Sequence, residues 1–316
     1  MNFKKLLGLM LPIILLVVSI TACATPVAVA GDINDDLGRT LTFDTVPEKI
    51  VSLAPSNTEI LFALGLGDNV VGVSDFCNYP EEVNTRSALE DGADGKIARV
   101  GNAFAVNIEA ITALEPDLVI AFGYNLPAYV EQLEGLGLTV MVLGPESIDD
   151  IMADIELVGT IMDVTKTAEE LTAQLRADLA TITAKTALVS RPTVFCETGY
   201  GGGIWTTGSG SFVSNLIMLA GGTDVGVGVS KNNPNVSLEY LVAADSEMII
   251  LADAPWVTAS DVKARGGAWD NLAAVQNDKI YDIDADIISR NGPRVVEGIM
   301  AMLEIIHPDI YAELQN

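Results

Sequence analysis

From Glu146 to Thr186 the chain runs ESIDDIMADIELVGTIMDVTKTAEELTAQLRADLATITAKT, with no proline and a single glycine, Gly159. In its second half Ala168, Leu171, Leu175, Leu179 and Ile182 recur at the three-four spacing of one helical face. Ser147 with Asp150, and Thr167 with Glu170, have the form of capping boxes. This pattern predicts a short helix, a break near Asp163 to Thr165, and then a helix of roughly 30 Å at about 1.5 Å per residue. A rigid element of that length in mid-chain constrains everything on either side of it.

The two flanks read alike. On the first, Lys49–Leu53, Val70–Val73, Leu118–Ala121 and Leu138–Val142 are short apolar strands. Between them lie helical stretches around Ile60–Leu64, Ile108–Leu114 and Ala128–Leu136. Pro55 stops the first strand, and Ser56-Asn57-Thr58-Glu59 has the form of a capping box. On the second flank Thr193–Cys196, Met248–Leu251 and Lys279–Ile283 are strands. Helices are expected over Ser211–Leu219 and Pro293–Ile306, the latter with proline at its start. Val106-Asn107-Ile108-Glu109 leading to Pro116-Asp117-Leu118 matches Val236-Ser237-Leu238-Glu239 leading to Ser246-Glu247-Met248, so Glu109 and Glu239 hold one place 130 residues apart. Ser56–Gly65 and Ser211–Gly221 form a looser echo. The fold class expected is therefore α/β, with two similar lobes, each a mainly parallel sheet flanked by helices, joined by one long helix.

Domain bounds follow: a signal segment over 1–22, a tether with small strands over 23–46 (a strand pair near Gly38–Phe43), one lobe over 47–146, connecting helices over 147–187, and a second lobe over 188–316. The start is basic (Lys4, Lys5), then apolar to Ile20, then Ile20-Thr21-Ala22-Cys23, which describes a secretory signal. The apolar run is short for a span of about 20 residues. The tetrapeptide looks like a bacterial lipobox, with Cys23 lipidated; a plain signal peptide is the alternative.

Export removes Lys4 and Lys5, so the formal charge of −26 becomes −28. That balance excludes nucleic acid as a partner. Cys77 and Cys196 remain, too few for a disulfide framework and best read as buried thiols. The one histidine, His307, sits after a helix and reads as a helix-end residue, and no G-x-S-x-G elbow exists, so no catalytic residue is assigned. A multi-histidine metal site is excluded as well. Gly199–Gly203 follows a strand but lacks the full dinucleotide fingerprint.

Ligands of open parallel sheets sit beyond the carboxyl ends of the strands. The loops there are Ala54–Asn57, Asp75–Tyr79, Phe122–Leu126, Glu197–Trp205, Asp253–Trp256 and Asp284–Arg290. They carry Phe76, Tyr79, Phe122, Tyr124, Tyr200, Trp205 and Trp256, and two lobes facing each other would make an aromatic cleft.

Several runs resemble the substrate-binding lipoproteins of ABC importers, in the class with two lobes and one rigid helix. They are Ile50–Leu61, Val71–Asp75 with Asn78-Tyr79-Pro80, Val100-Gly101, Asn107-Ile108-Glu109, Pro116–Val119, Leu219–Gly222, and Ser289-Arg290 with Gly292-Pro293-Arg294. The nearest branch is the cobalamin-binding one, which overlaps the ferric-siderophore branch. The resemblance implies a non-enzymatic, monomeric receptor, lipid-anchored on the outer face of the cytoplasmic membrane, that delivers a small ligand to a membrane permease. It implies docking on the permease through Glu109 and Glu239, and no resident cofactor or metal. It implies a corrinoid cargo first and a ferric siderophore or haem second; a lipoprotein enzyme or sensor is the reading from another class. The expected ligand set is Ser56, Asn57, Phe76, Asn78, Tyr79, Phe122, Tyr124, Tyr200, Trp205, Trp256, Asp286 and Arg290. A siderophore would favour Arg290 or Arg294, the latter otherwise a helix cap; haem would favour Tyr124 or Tyr200. The rigid helix implies that the lobes move by a few degrees on binding, with flexing at Asp163–Thr165.

Overall fold

The computed structural model describes residues 32–102, 104–123, 127–229, 234–253 and 256–316. The signal segment, Cys23 and Tyr124 lie outside the described residues.

The first sheet has five strands, all parallel, in the spatial order Ala98–Arg99, Val70–Val73, Ile50–Ser52, Leu118–Phe122, Val140–Leu143. The central strands are apolar on both faces because helices cover both; Ile50 and Val51 point oppositely and both are fully buried. The strand order reverses direction between Ile50–Ser52 and Leu118–Phe122, which makes a crevice at their carboxyl ends. In the second sheet Thr193–Tyr200 runs parallel to Met248–Leu251, which runs parallel to Ile280–Asp282. On its other side Thr193–Tyr200 pairs antiparallel with Ile204–Thr206, and that strand with Asn235–Val236.

The connecting helices are Ile148–Ile161 and Thr165–Thr186. The Ser147 box forms: Ser147 Oγ accepts from the Asp150 N–H at 3.1 Å, and Asp150 accepts from the Ser147 N–H at 2.8 Å. The Thr167 box does not. The second helix has already started at Thr165, with Val164 at its N-cap and no side-chain cap. The junction explains this. Asp163 is left-handed (φ 55°), the Val164 N–H donates to the Gly159 carbonyl at 2.8 Å, and the Asp163 N–H to Thr160 at 3.4 Å. That Schellman closure reverses the chain in one residue and leaves no room for a later cap.

Gly159 sits where the two helices cross. A Cβ there would overlap the Cβ of Ala168. Gly159→Val is therefore expected to destabilise the protein by roughly 1–3 kcal/mol through overpacking. Urea unfolding checks it, and Ala168→Gly in the same chain should recover part of the loss.

Other local expectations need correction. Ser56–Glu59 do not cap a helix: the helix Pro55–Ala63 begins at Pro55, with Ala54 at its N-cap, and Ser56 to Glu59 are buried inside it. Its fixed φ makes Pro55 a helix starter, so the four following residues become interior. The last long helix is Val295–Ile306, with Pro293 outside it. The strand pair near the N-terminus is Ile33–Asn34 with Thr40–Leu41, turning at Gly38 (φ 72°). It docks on the edge strand Val140–Leu143: the Val142 N–H donates to Asp35 at 3.1 Å, the Asp36 N–H to the Val142 carbonyl at 3.1 Å, and Arg39 to the Val140 carbonyl at 3.0 Å. The hairpin thus covers a sheet edge. Glu197–Trp205 is not a loop either, because the strand continues to Tyr200 and turns directly into Ile204–Thr206.

The internal repeat extends further than sequence comparison suggests. Asn107 and Ser237 both cap helices, accepting from Ala110 and Tyr240. Glu115 and Asp245, again 130 apart, both take left-handed backbone (φ 48° and 40°). Asp117 accepts from the Lys49 N–H at 2.8 Å and Glu247 from the Thr193 N–H at 3.2 Å, each tying one strand start to its neighbour. The Pro55–Ala63 and Phe212–Leu219 helices end at Gly65 and Gly221 with matching positive φ (77° and 83°).

One apolar core runs through both lobes by way of the connecting helices, joining Ile60 and Leu61 to Ile155 and Ala168, and these to Leu216, Ile299 and Met302. Separate clusters fill the remaining faces, around Val51 and Val119 in one lobe and Phe195 and Trp269 in the other.

Candidate functional site

A cavity of about 950 Å³ opens between the lobes. That is at the upper end of the roughly 300–1,000 Å³ usual for small-molecule sites. The first lobe supplies Pro55 and Ser56 after its first strand, Asp75, Phe76 and Asn78 after its second, Phe122 at the end of Leu118–Phe122, and Pro145 with Glu146 after Val140–Leu143. All are beyond strand carboxyl ends, at the order reversal. The second lobe supplies the Ser209–Phe212 turn and Asp286, Ser289, Arg290 and Asn291.

Ser56, Phe76, Asn78, Phe122, Asp286 and Arg290 of the expected set therefore meet in one cavity. Asn57, Tyr79, Tyr200, Trp205 and Trp256 do not line it. Asn57 is buried and its amide donates to the carbonyl of Ala121 at 3.0 Å, bracing helix against strand. Tyr79 lies under the Arg294 guanidinium, 3.9 Å from its centroid. Arg294 stands at the N-cap of Val295–Ile306 as expected, without a side-chain cap bond, and also pairs with Glu297 at 3.0 Å. Tyr200 stacks on Arg265 at 3.5 Å, and Arg265 forks onto the buried carboxylate of Glu197 with two bonds of 2.6 Å. Trp205 is in the hairpin just described, and Trp256 is 87% exposed. Phe212 was missed. Ser211 caps its helix, fixing Phe212 at the first helical position; a serine cap followed by an aromatic after a strand is the signal that could have found it.

The cavity floor is a polar seam between the lobes. Arg290 is 8% exposed and donates to Glu59 at 2.8 Å and Asn78 at 2.7 Å, and it pairs with Asp286 at 2.6 Å. Asn78 donates to Asp286 at 2.9 Å, and Asn291 to the Pro145 carbonyl at 2.8 Å. Gly292 packs against the backbone of Ser56. Burial pushes the Glu59 carboxyl above its ordinary value, with the Arg290 hydrogen bond opposing. Arg290 is the only basic side chain lining the cavity among the described residues, and three groups already hold it. Cys77 and Cys196 are buried free thiols. His307 ends the Val295–Ile306 helix and faces the Gly221 carbonyl at 3.2 Å.

The model of the family described as Periplasmic binding protein matches residues 50–287. The uncharacterized ABC transporter substrate-binding lipoprotein YvrC of Bacillus subtilis strain 168 is 31% identical over 333 residues, covering 98% of this chain and 100% of that protein. The cobalamin-binding protein of Halobacterium salinarum strain R1 is 28% identical over 295 residues, covering 90% of this chain and 75% of that one. Among solved structures, the periplasmic vitamin B12 binding protein BtuF of Vibrio cholerae superposes with a TM-score of 0.68 at 27% identity, covering 85% of this chain and 99% of that chain.

Proposed function

The chain belongs to the periplasmic binding protein family, as a substrate-binding component of an ABC transporter, and on that premise we propose that its cargo is a corrinoid. Proteins of this family carry ligands to a membrane permease and are not enzymes. The observation that carries the corrinoid reading is the make-up of the cavity. Phe76, Phe122 and Phe212 offer apolar faces from both lobes, and Ser56, Asn78, Ser209 and Asn291 offer hydroxyls and amides. A corrin ring edged with amide side arms is complementary to such a lining. The named binding partner of two relatives, cobalamin and vitamin B12, supports it. A ferric siderophore or haem is the runner-up; haem and carboxylate-bearing siderophores are disfavoured because their carboxylates need a free cation. Arg290 is engaged by Glu59 and Asp286. Titration of the exported domain with cyanocobalamin should give saturable heat at micromolar concentrations or below, and haem or ferric chelates should not. Silence with cyanocobalamin alongside binding of a ferric chelate overturns the reading.

Lipidation at Cys23 would hold the protein at the outer face of the cytoplasmic membrane, as the lipoprotein name of a relative suggests. Permease docking rests on Glu109 and Glu239. Both are exposed, and both occupy the second residue of a capped helix at equivalent places in the two lobes. Local hydrogen bonds, to its own backbone and to Ser237, keep Glu239 below the usual carboxylate range, so it is charged at any physiological pH. Glu109→Ala with Glu239→Ala is expected to leave ligand affinity unchanged and to lower transport and ATPase stimulation several-fold in reconstituted vesicles. Normal transport by the double variant would remove the docking assignment.

A further inference from the structure

The charge of the cavity says more about the cargo than its shape does. Among the described residues its lining holds three carboxylates, Asp75, Glu146 and Asp286, against the single guanidinium of Arg290. Asp286 is matched to Arg290 at 2.6 Å, and the buried Glu59 adds a further carboxylate on the same guanidinium at 2.8 Å. Asp75 and Glu146 are different. Both are exposed, both line the first-lobe wall, and neither carboxylate has a hydrogen-bond or ion-pair partner among the described residues. They follow two different strands, Val70–Val73 and Val140–Leu143, so they approach the cavity from separate places on the sheet. Among the described residues the lining thus presents surplus negative charge and no uncommitted positive group. Field lines converge in a cleft with low-dielectric walls, which strengthens the preference for one sign of ligand.

We infer that the cleft discriminates by charge, taking a cargo with a cationic group at the Asp75–Glu146 wall in preference to a neutral or anionic one. This rests on the corrinoid reading, so the cargo named is a corrinoid bearing net positive charge. Charge recognition by two solvent-open carboxylates is worth a factor of roughly five to ten per unit of ligand charge at low salt.

Three ligands of one ring shape test it: electrically neutral cyanocobalamin, the monocarboxylates made by hydrolysing one peripheral amide, and the aminoethylamides made from those acids, which carry an ammonium group. Each side-arm isomer is titrated by calorimetry at low and high sodium chloride. The expected order of affinity is ammonium, then neutral, then carboxylate for at least one side-arm series. The spread should narrow at high salt. Asp75→Asn with Glu146→Gln should narrow the ratio of ammonium to carboxylate affinity, which separates charge from the bulk of the side arm. If cyanocobalamin binds but carboxylates bind as well as ammonium derivatives in every series, or the double variant keeps the ratio, the charge inference is wrong and the corrinoid reading stands. If no member of the series binds, both are wrong.

Discussion

Replacing Arg290 with alanine is expected to lower stability by roughly 3–5 kcal/mol, the usual result of stripping one partner from a buried ion pair. The reason is Glu59. Its side chain is about 1% exposed, one carboxylate oxygen has no partner, and the other depends on Arg290 at 2.8 Å, with Arg294 farther off at 3.4 Å. The loss should depend on pH in a definite direction. Burial already raises the Glu59 carboxyl above its ordinary 4.5. Without Arg290 it rises further, so the variant's folded state takes up a proton that the unfolded state does not hold above that ordinary value. The penalty is therefore largest near neutrality and shrinks as pH falls toward it. Urea denaturation at neutral and mildly acid pH measures both. Glu59→Gln with Arg290→Met removes both charges and should be markedly more stable than Arg290→Ala alone. If the single variant is as stable as the parent, the seam does not hold the lobes together.

Asp154→Asn should do the opposite and stabilise the protein in alkaline solution. Asp154 is 2% exposed on the Ile148–Ile161 helix, behind the edge strand to which the N-terminal hairpin docks. Burial, then the nearby carboxylates of Asp36 and Asp150, push it from 3.8 to about 8, and it donates its proton toward Asp36. Asp36 is itself raised, first by burial. The folded protein keeps the Asp154 proton up to about pH 8, whereas the unfolded chain loses it near its ordinary value of 3.8. Stability from this group is complete below that ordinary value and is lost as pH climbs through the window to about 8. At about 1.4 kcal/mol per pH unit the full shift sets an upper limit on the order of 5 kcal/mol. An asparagine donates the same hydrogen bond without titrating. A gain of about 2 kcal/mol or more is expected above the window, fading to nothing at its acid end. Melting curves across that range test it; equal gains at all pH values would mean that Asp154 does not titrate there.

The elements that sequence made visible are those whose determinants are local. The break at Asp163 and the Ser147 box each involve residues within a few positions of one another. The doubled architecture was visible because a 130-residue offset preserves a whole string of such local signals. What stayed hidden was long-range. Glu59 looked like a cap because its true partner, Arg290, lies 231 residues away. The aromatic residues were visible as residues but not as neighbours. Tyr200 faces Arg265 and Tyr79 faces Arg294, in each case a cation from a distant helix end that sequence cannot bring to the ring. Six of the expected contact residues do line the cavity, and they stand at or shortly after the carboxyl ends of parallel strands, where the topology itself places them. Thr167 failed as a cap for a third reason: the glycine-alanine crossing and the Schellman closure started the helix earlier than its own residues did.

The unbroken core that passes from Ile60 through Ile155 and Ala168 to Met302 has a consequence for how the molecule comes apart. Each lobe has its own sheet and its own smaller apolar cluster, but the core through the connecting helices belongs to both. Severing the chain at the connecting helices would bare apolar surface on both pieces. The two halves are therefore expected to melt together in a single calorimetric transition. Cargo bound between them stabilises the whole molecule at once rather than the lobe it touches most, and a lesion in either lobe is felt in the other.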